Sequence, residues 1–496
     1  MLWDRDFPRY ISDNQQFKII MSYRSRKLKK INTNTMPGAI RALGTLKYRI
    51  ILEGIMVGLL VGIVVSLFRY ALGEMDVLRS LIVGLRALDP AEEGSVGFWS
   101  RVLGGLGAGG ASAGAAGASG AGGLGTLPFI GIAILGVFAF LVSYFVYKEP
   151  YISGSGIPQV KGELMGRIKT NWARVLALKF FGGIMAISSG LALGREGPSI
   201  QLGAMVGKGF SRLSGRLKSE ERLLISAGSG AGLAAAFGAP LAGLVFVLEE
   251  LRKDFDPKVL LSTMAAAVTS EYVASYIFGL DPVFAVFAFS KPTLQDYWMI
   301  LILGVLLGAL GVLYNRSLAL SQNLQALIRP RWLKALLAAI SVVAMAAIYP
   351  VCLGSGHDLV EETGFGLYTA GTIAVLLVVR FVYSVYSFGT GAPGGIFLPL
   401  LVLGALAGGL FTTVVSPLAG LPTGNEAFYV ILGMAGLFAS IVRAPLTGII
   451  LISEMTGTLS SLLPLSLVAL VSYITAEALG GVPVYDQLLD RILAKK

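Results

Sequence analysis

One set of glycine–proline helix starts is written twice in this chain, about two hundred residues apart, and that duplication constrains the fold more than any other feature. Gly154-Ser155-Gly156-Ile157-Pro158 is echoed by Gly354-Ser355-Gly356-His357-Asp358, and Gly194-Arg195-Glu196-Gly197-Pro198 by Gly395-Ile396-Phe397-Leu398-Pro399. The run from Leu202 to Gly207 returns from Leu403 to Gly408, Ala231-Gly232-Leu233 returns as Ala435-Gly436-Leu437, and Ala239 to Glu249 returns as Ala444 to Glu454. The matches keep one order while their offset drifts by a few residues, as an old duplication would leave them. Such a chain folds as two similar halves. Paired Gly/Pro-interrupted apolar segments at corresponding places in two halves mark the binding site of a repeat-built membrane transporter.

The composition belongs in a bilayer. With 55% hydrophobic and 14% charged residues over 496 positions, and a mean hydropathy of +0.74, the chain departs far from a soluble enzyme. Apolar stretches long enough to cross a membrane run over Ile50–Leu72, Leu127–Val146, Val175–Leu193, Tyr297–Leu313, Leu333–Ile348 and Gly371–Tyr386. Others are interrupted by glycine or proline into pieces too short to span alone. In lipid such pieces survive only where protein covers their backbone or where they line a cavity. The expected fold is all-α and polytopic, one bundle containing re-entrant half-helices.

Net charge is +11 and sits mostly at one end, where Arg24, Arg26, Lys27, Lys29, Lys30, Arg41, Lys47 and Arg49 precede the first span. The positive-inside rule puts this end in the cytoplasm, and Arg491, Lys495 and Lys496 place the other end with it. Anionic lipid, not nucleic acid, is the expected partner of these clusters. The first apolar run is too long for a cleaved signal peptide. One cysteine, Cys352, excludes an internal disulfide and a cysteine metal cluster. The Gly/Ala/Ser tract from Gly104 to Gly125 reads as a flexible outer loop without residues suited to chemistry. The expected division is a basic segment over 1–49, a membrane domain over 50–489 with repeats at about 50–255 and 297–480, and a short tail over 490–496, with no appended soluble domain.

GSGIP at Gly154–Pro158, GREGP at Gly194–Pro198, GIFLP at Gly395–Pro399 and Tyr485 after Pro483 together resemble the CLC family of chloride channels and proton/chloride antiporters. The likeness runs from about Ile50 to Leu489. It implies two inverted-topology repeats and a homodimer with one anion pathway per subunit. Chloride and protons are then the cargo, with no resident cofactor, no metal and no enzymatic reaction. The setting is a cell (inner) membrane.

The motifs have a physical logic of their own. Proline in a first helical turn loses no hydrogen bond and fixes where the helix begins. Several such N-termini converging at membrane depth present free N–H donors and positive dipole ends, which suit an anion. Partial charges attract an ion enough to replace its water and still let it leave. By resemblance, Gly154, Ser155, Arg195, Glu196, Gly197, Ile396, Phe397 and Tyr485 surround the chloride. Ser155 and Tyr485 give hydroxyls and Ile396 and Phe397 give backbone N–H groups. Serine at this position is the family's chloride-type choice, proline its nitrate-type one. Read singly, Ser155 is equally an N-cap and Tyr485 an interfacial anchor.

Glu196 lies in an apolar run, where an ionisable group is expensive and functional by default. The resemblance makes it the external gate: its carboxylate occupies the anion's place and leaves on protonation. Glu250 matches the internal proton-transfer glutamate of the antiporters, whereas channels generally carry an apolar residue there. Glu249 has a repeat counterpart in Glu454 and is assigned to architecture. The lone His357 reads as structural or exposed. The alternatives are a passive chloride channel on the same scaffold, a cation-coupled solute symporter, and a scaffold that has lost transport. Neither a phosphate loop nor a zinc-protease helix motif is present.

Overall fold

The computed structural model describes residues 36–83, 127–284, 297–418, 426–458 and 461–494. The basic residues from Arg24 to Lys30, the tract from Gly104 to Gly125, and Lys495 and Lys496 lie outside them. The chain divides into two units, Met1–Leu52 and Glu53–Lys496. The described part of the first is the opening of helix α1, and the fold and its site lie in the second.

Seventeen α-helices and no strands occur among the described residues. α1 (Met36–Val83), α2 (Leu127–Lys148), α3 (Ile157–Leu164), α4 (Trp172–Ser188), α5 (Glu196–Leu213), α6 (Lys218–Phe237), α7 (Pro240–Phe246) and α8 (Pro257–Phe278) form the first half. The second half repeats the series as α9 (Tyr297–Leu327), α10 (Arg331–Ile348), α11 (His357–Gly364), α12 (Ala370–Gly389), α13 (Phe397–Leu418), α14 (Glu426–Val442), α15 (Pro445–Thr456) and α16 (Leu462–Ala478). α17 (Val484–Ala494) follows. Even the short 3-10 turns recur, at Pro150–Ile152 and Pro350–Cys352.

The contacts between halves show how they are turned. Gly194 and Gly395, equivalent residues, exchange both backbone hydrogen bonds at 2.7 Å in an antiparallel bridge. The Gly154 N–H donates to the Gly391 carbonyl, and the equivalent Gly354 N–H donates to the Gly190 carbonyl. Glu249 accepts from the backbone N–H groups of Leu446 (3.1 Å) and Thr447 (2.7 Å) at the start of α15. Its counterpart Glu454 accepts from Leu241 (3.0 Å) and Ala242 (2.8 Å) at the start of α7. These contacts come in mirror pairs, as a two-fold rotation that runs the two halves in opposite directions produces.

Several glycines lie inside helices without interrupting them. Gly203 and Gly207 belong to α5, Gly228 and Gly232 to α6, Gly404 and Gly408 to α13, and Gly433 to α14. Gly203 and Gly228 each face the other's carbonyl so closely that a Cβ on either would collide with backbone. Gly404 stands in the same relation to α14, where a Cβ would lie 2.8 Å from the Met434 Cα. Small residues let membrane helices touch along their backbones, and here they do so instead of breaking them. The expected span Val175–Leu193 is corrected: α4 ends at Ser188, and Gly190 at φ +99° turns the chain into a non-helical segment, bent at Ala192, whose Gly194 bridges to Gly395.

Tyr48–Arg79, Tyr297–Leu327, Ala370–Gly389 and Phe397–Ser416 are long and apolar enough to cross a bilayer. Large apolar side chains such as Phe140, Tyr272, Tyr276 and Leu306 point outward, as a lipid-facing surface requires.

Candidate functional site

The site begins with two loops fixed by buried cations. Lys179 of α4, fully buried, donates to the carbonyls of Ile152 (2.8 Å) and Gly154 (2.6 Å). Its counterpart Arg380 of α12 donates to Cys352 (2.5 Å), Gly354 (2.7 Å) and Ser355 (2.6 Å). Carbonyls tied off in this way turn the peptide N–H groups toward the opposite side. Sequence reading missed both cations, although a single charge in an apolar helix was the signal available.

Gly154 and Gly156 take positive φ, +65° and +94°, and deliver the chain into α3 with Pro158 in its first turn. Ser155 between them is 2% exposed, and its Oγ accepts from the Ile157 N–H at 3.2 Å. That leaves its hydroxyl proton to donate elsewhere. Gly197, in the first turn of α5, rests directly on Ser155: a Cβ there would lie 2.7 Å from the Ser155 carbonyl oxygen and 2.8 Å from its Cβ. The Gly194–Gly395 bridge brings the start of α13 alongside, with Gly395 against the Gly197 N–H. Three helix N-termini therefore meet, those of α3, α5 and α13. Ile396 and Phe397 are fully buried at the third. N–H groups in a helix's first turn have no partner within the helix.

Aromatic rings extend the assembly to α17. Phe397 stands 6.3 Å, centroid to centroid, from Phe246 of α7, and Phe246 meets Tyr485 edge-on at 6.5 Å. Tyr485 is fully buried and its hydroxyl has no hydrogen-bond partner in the protein. A buried phenol normally finds one.

Glu196 is the first residue of α5 and is wholly sealed from solvent. Neither carboxylate oxygen makes a hydrogen bond of good geometry. The polar groups acting on it are the backbone amides of Glu196, Leu398 and Arg195 and the Arg195 guanidinium, so the carboxylate sits between the tips of α5 and α13. The Arg195 side chain also interacts electrostatically with Asp76 and Arg69 of α1. Tyr485 is within electrostatic reach of both Glu196 and Glu250.

Glu250 lies beyond α7, in a single π-turn over Val247–Arg252 that the sequence pattern did not reveal. It is 2% exposed, not a solvated helix end. Its carboxylate accepts from Lys161 of α3 at 2.6 Å, and Lys161 also pairs with Asp486 of α17 at 2.5 Å. Lys253 completes the group, 2.9 Å from Asp486. Lys161 and Asp486 are the site-adjacent residues the sequence reading did not pick out. His357, the first residue of α11, stacks on Phe284 at 4.7 Å, with its Nε2 3.3 Å from the Val283 carbonyl.

A cavity of about 850 Å³ is lined by Ser155, Pro158 and Gln159 and by Leu488 and Arg491 of α17. Arg491 and Lys334 are the cationic side chains on its wall. The arrangement as a whole offers helix-tip amides, a phenol without a hydrogen-bond partner and a carboxylate, all buried inside an apolar bundle.

The comparisons with known proteins agree. The family model described as voltage gated chloride channel matches residues 135–477, and the chain belongs to that family. It is 39% identical over 376 residues to the H(+)/Cl(-) exchange transporter ClcA of Vibrio cholerae, covering 73% of this chain and 79% of that protein. ClcA of Vibrio campbellii is 38% identical over 374 residues, with the same coverage. Among solved structures, a slow cyanobacterial Cl-/H+ antiporter superposes with a TM-score of 0.79 at 29% identity, over 90% of this chain and 99% of that one. A eukaryotic CLC transporter, at 22% identity and a TM-score of 0.67, shares the fold.

Proposed function

We propose that this protein is a secondary active transporter that exchanges chloride for protons across a membrane. The observation that carries the reading is the Glu196 carboxylate, wholly buried beside the backbone amides at the N-termini of α5 and α13. A chloride ion wants the same donors. Ionised, Glu196 holds the position; protonated, it has no negative charge with which to compete and yields it. One proton taken up thus corresponds to one vacancy for the anion, and exchange follows from the geometry of a single site.

Chloride then binds between the Ser155 hydroxyl, the Tyr485 phenol and the N–H groups of Ile396 and Phe397, with Gly154, Gly197 and Arg195 contributing backbone. Glu250 passes protons to and from the opposite side. Chloride and protons are cargo, and the reading needs no resident cofactor. We further propose a homodimer with one pathway per subunit, a membrane domain over 50–489, and both termini on the cytoplasmic side of the cell membrane. The names of the similar proteins support exchange over a passive channel.

The test is proton movement driven by a chloride gradient in liposomes. The wild type should carry protons uphill. Glu196→Ala should pass chloride without protons, and Glu250→Gln should stop protons while chloride still binds and moves. Reversal potentials that track chloride alone and ignore pH would make the protein a passive channel.

A further inference from the structure

Four charged groups gather beneath the anion point, and the proton route as described uses only one of them. Lys161 is completely buried, and its ammonium stands between two carboxylates at almost equal distance, Glu250 at 2.6 Å and Asp486 at 2.5 Å. Asp486 is 31% exposed and is shared in turn with Lys253, itself half exposed. The charged and titratable groups facing Glu250 are therefore Lys161 from α3, Tyr485 and Asp486 from α17, and Lys253 from the end of its own turn. The positions of the two outer members matter. Lys161 rides on the helix that Ser155 begins, and Asp486 directly follows Tyr485. The bridge thus ties both side-chain hydroxyls of the anion point to Glu250.

We propose that Lys161 and Asp486 are positioning residues for proton transfer at Glu250, with Lys161 as the counter-charge of the ionised carboxylate and Asp486 as the partner that keeps Lys161 paired once Glu250 is neutral. The inference rests on the exchange reading above and extends it to two residues outside the anion point. Its logic is symmetrical. A carboxylate buried without a cation is strongly disfavoured, so removing Lys161 suppresses the charged half of Glu250's cycle. An ammonium buried without a carboxylate is disfavoured for the same reason, so removing Asp486 suppresses the neutral half. A proton carrier must visit both halves. Losing either partner stalls the proton and leaves the anion path open.

The experiment measures chloride and proton turnover side by side in liposomes holding the full chain. Lys161→Met should lower the proton-to-chloride ratio at least fivefold with chloride turnover within twofold of wild type. Lys161→Arg, which keeps the charge, should restore much of the ratio. Combining Lys161→Met with Glu250→Gln should add nothing to Glu250→Gln alone. Asp486→Asn removes only the charge of a partly exposed side chain and serves if Lys161→Met does not fold; its ratio should fall at least twofold. A merely structural Lys161 would lower both fluxes in step and compound with Glu250→Gln, and that result overturns the proposal, as does an unchanged ratio in Lys161→Met or Asp486→Asn. A wild type that moves no protons, or a coupled Glu250→Gln, would instead strike the exchange reading itself.

Discussion

On the proposed reading, Tyr485 and Ser155 bring hydroxyl donors to the same anion from different surroundings. Ser155 already accepts one hydrogen bond from the backbone, while the Tyr485 hydroxyl has none. A hydrogen bond to a charged partner contributes about 1.5–3 kcal/mol. Tyr485→Phe, which keeps the ring against Phe246, should therefore weaken chloride binding by about tenfold or more, read by calorimetric titration of the detergent-solubilised protein. Unchanged affinity would remove the phenol from the anion's shell. At this scale the sequence was informative where a motif fixed backbone geometry. Glu196 and Ser155 stood out because each is locked to glycines and a first-turn proline. Lys161 did not, because its partners lie 89 residues away in Glu250 and on the last helix, and nothing local distinguishes it from a helix-end charge.

Among the elements, the pairs α5–α6 and α13–α14 hold the short helices in register, and they do so through backbone contact at glycine. Gly404→Ala would force a Cβ toward the Met434 Cα, where neither backbone can give way. Overpacking of this kind costs about 1–3 kcal/mol. A Cβ at Gly371, on the outer helix α12, meets nothing, and Gly371→Ala should instead stabilise by about 0.4–1 kcal/mol. Thermal unfolding in detergent should place the two variants on opposite sides of wild type; a Gly404→Ala midpoint at or above wild type would contradict the close-contact account. The sequence showed these glycines plainly but not their use. Periodicity cannot tell a glycine that breaks a helix from one that admits a neighbour, because the neighbour is absent from the local string. The π-turn that carries Glu250 was hidden for a similar reason, since its extra residue follows from tertiary contacts.

The whole molecule presents apolar side chains on α8 and α16, Tyr272 and Tyr276 on one and Leu470 and Ile474 on the other. Lipid accounts for some of that surface. On the homodimer reading a second copy covers another part, and light scattering in detergent should return twice the protein mass of one chain. A monomer that exchanges ions at the full rate would refute the assembly without touching the pathway. The order of the repeats was legible from the five echoed segments, while their inverted two-fold relation was implied by the family resemblance, because duplicated sequence alone is equally compatible with parallel repeats. What the echoes could not give was the bridge between Gly194 and Gly395, a contact that exists only after both halves have closed.

The swapped carboxylates Glu249 and Glu454 have a consequence for how the chain is made. The first amides of the Pro240 helix find their acceptor some two hundred residues later. While the ribosome is still short of Glu454, that helix tip stands uncapped, and the newborn first half cannot finish by itself. Its maturation must wait for the second, so translation ends with a mutual latch, and a truncated product should go to the proteases.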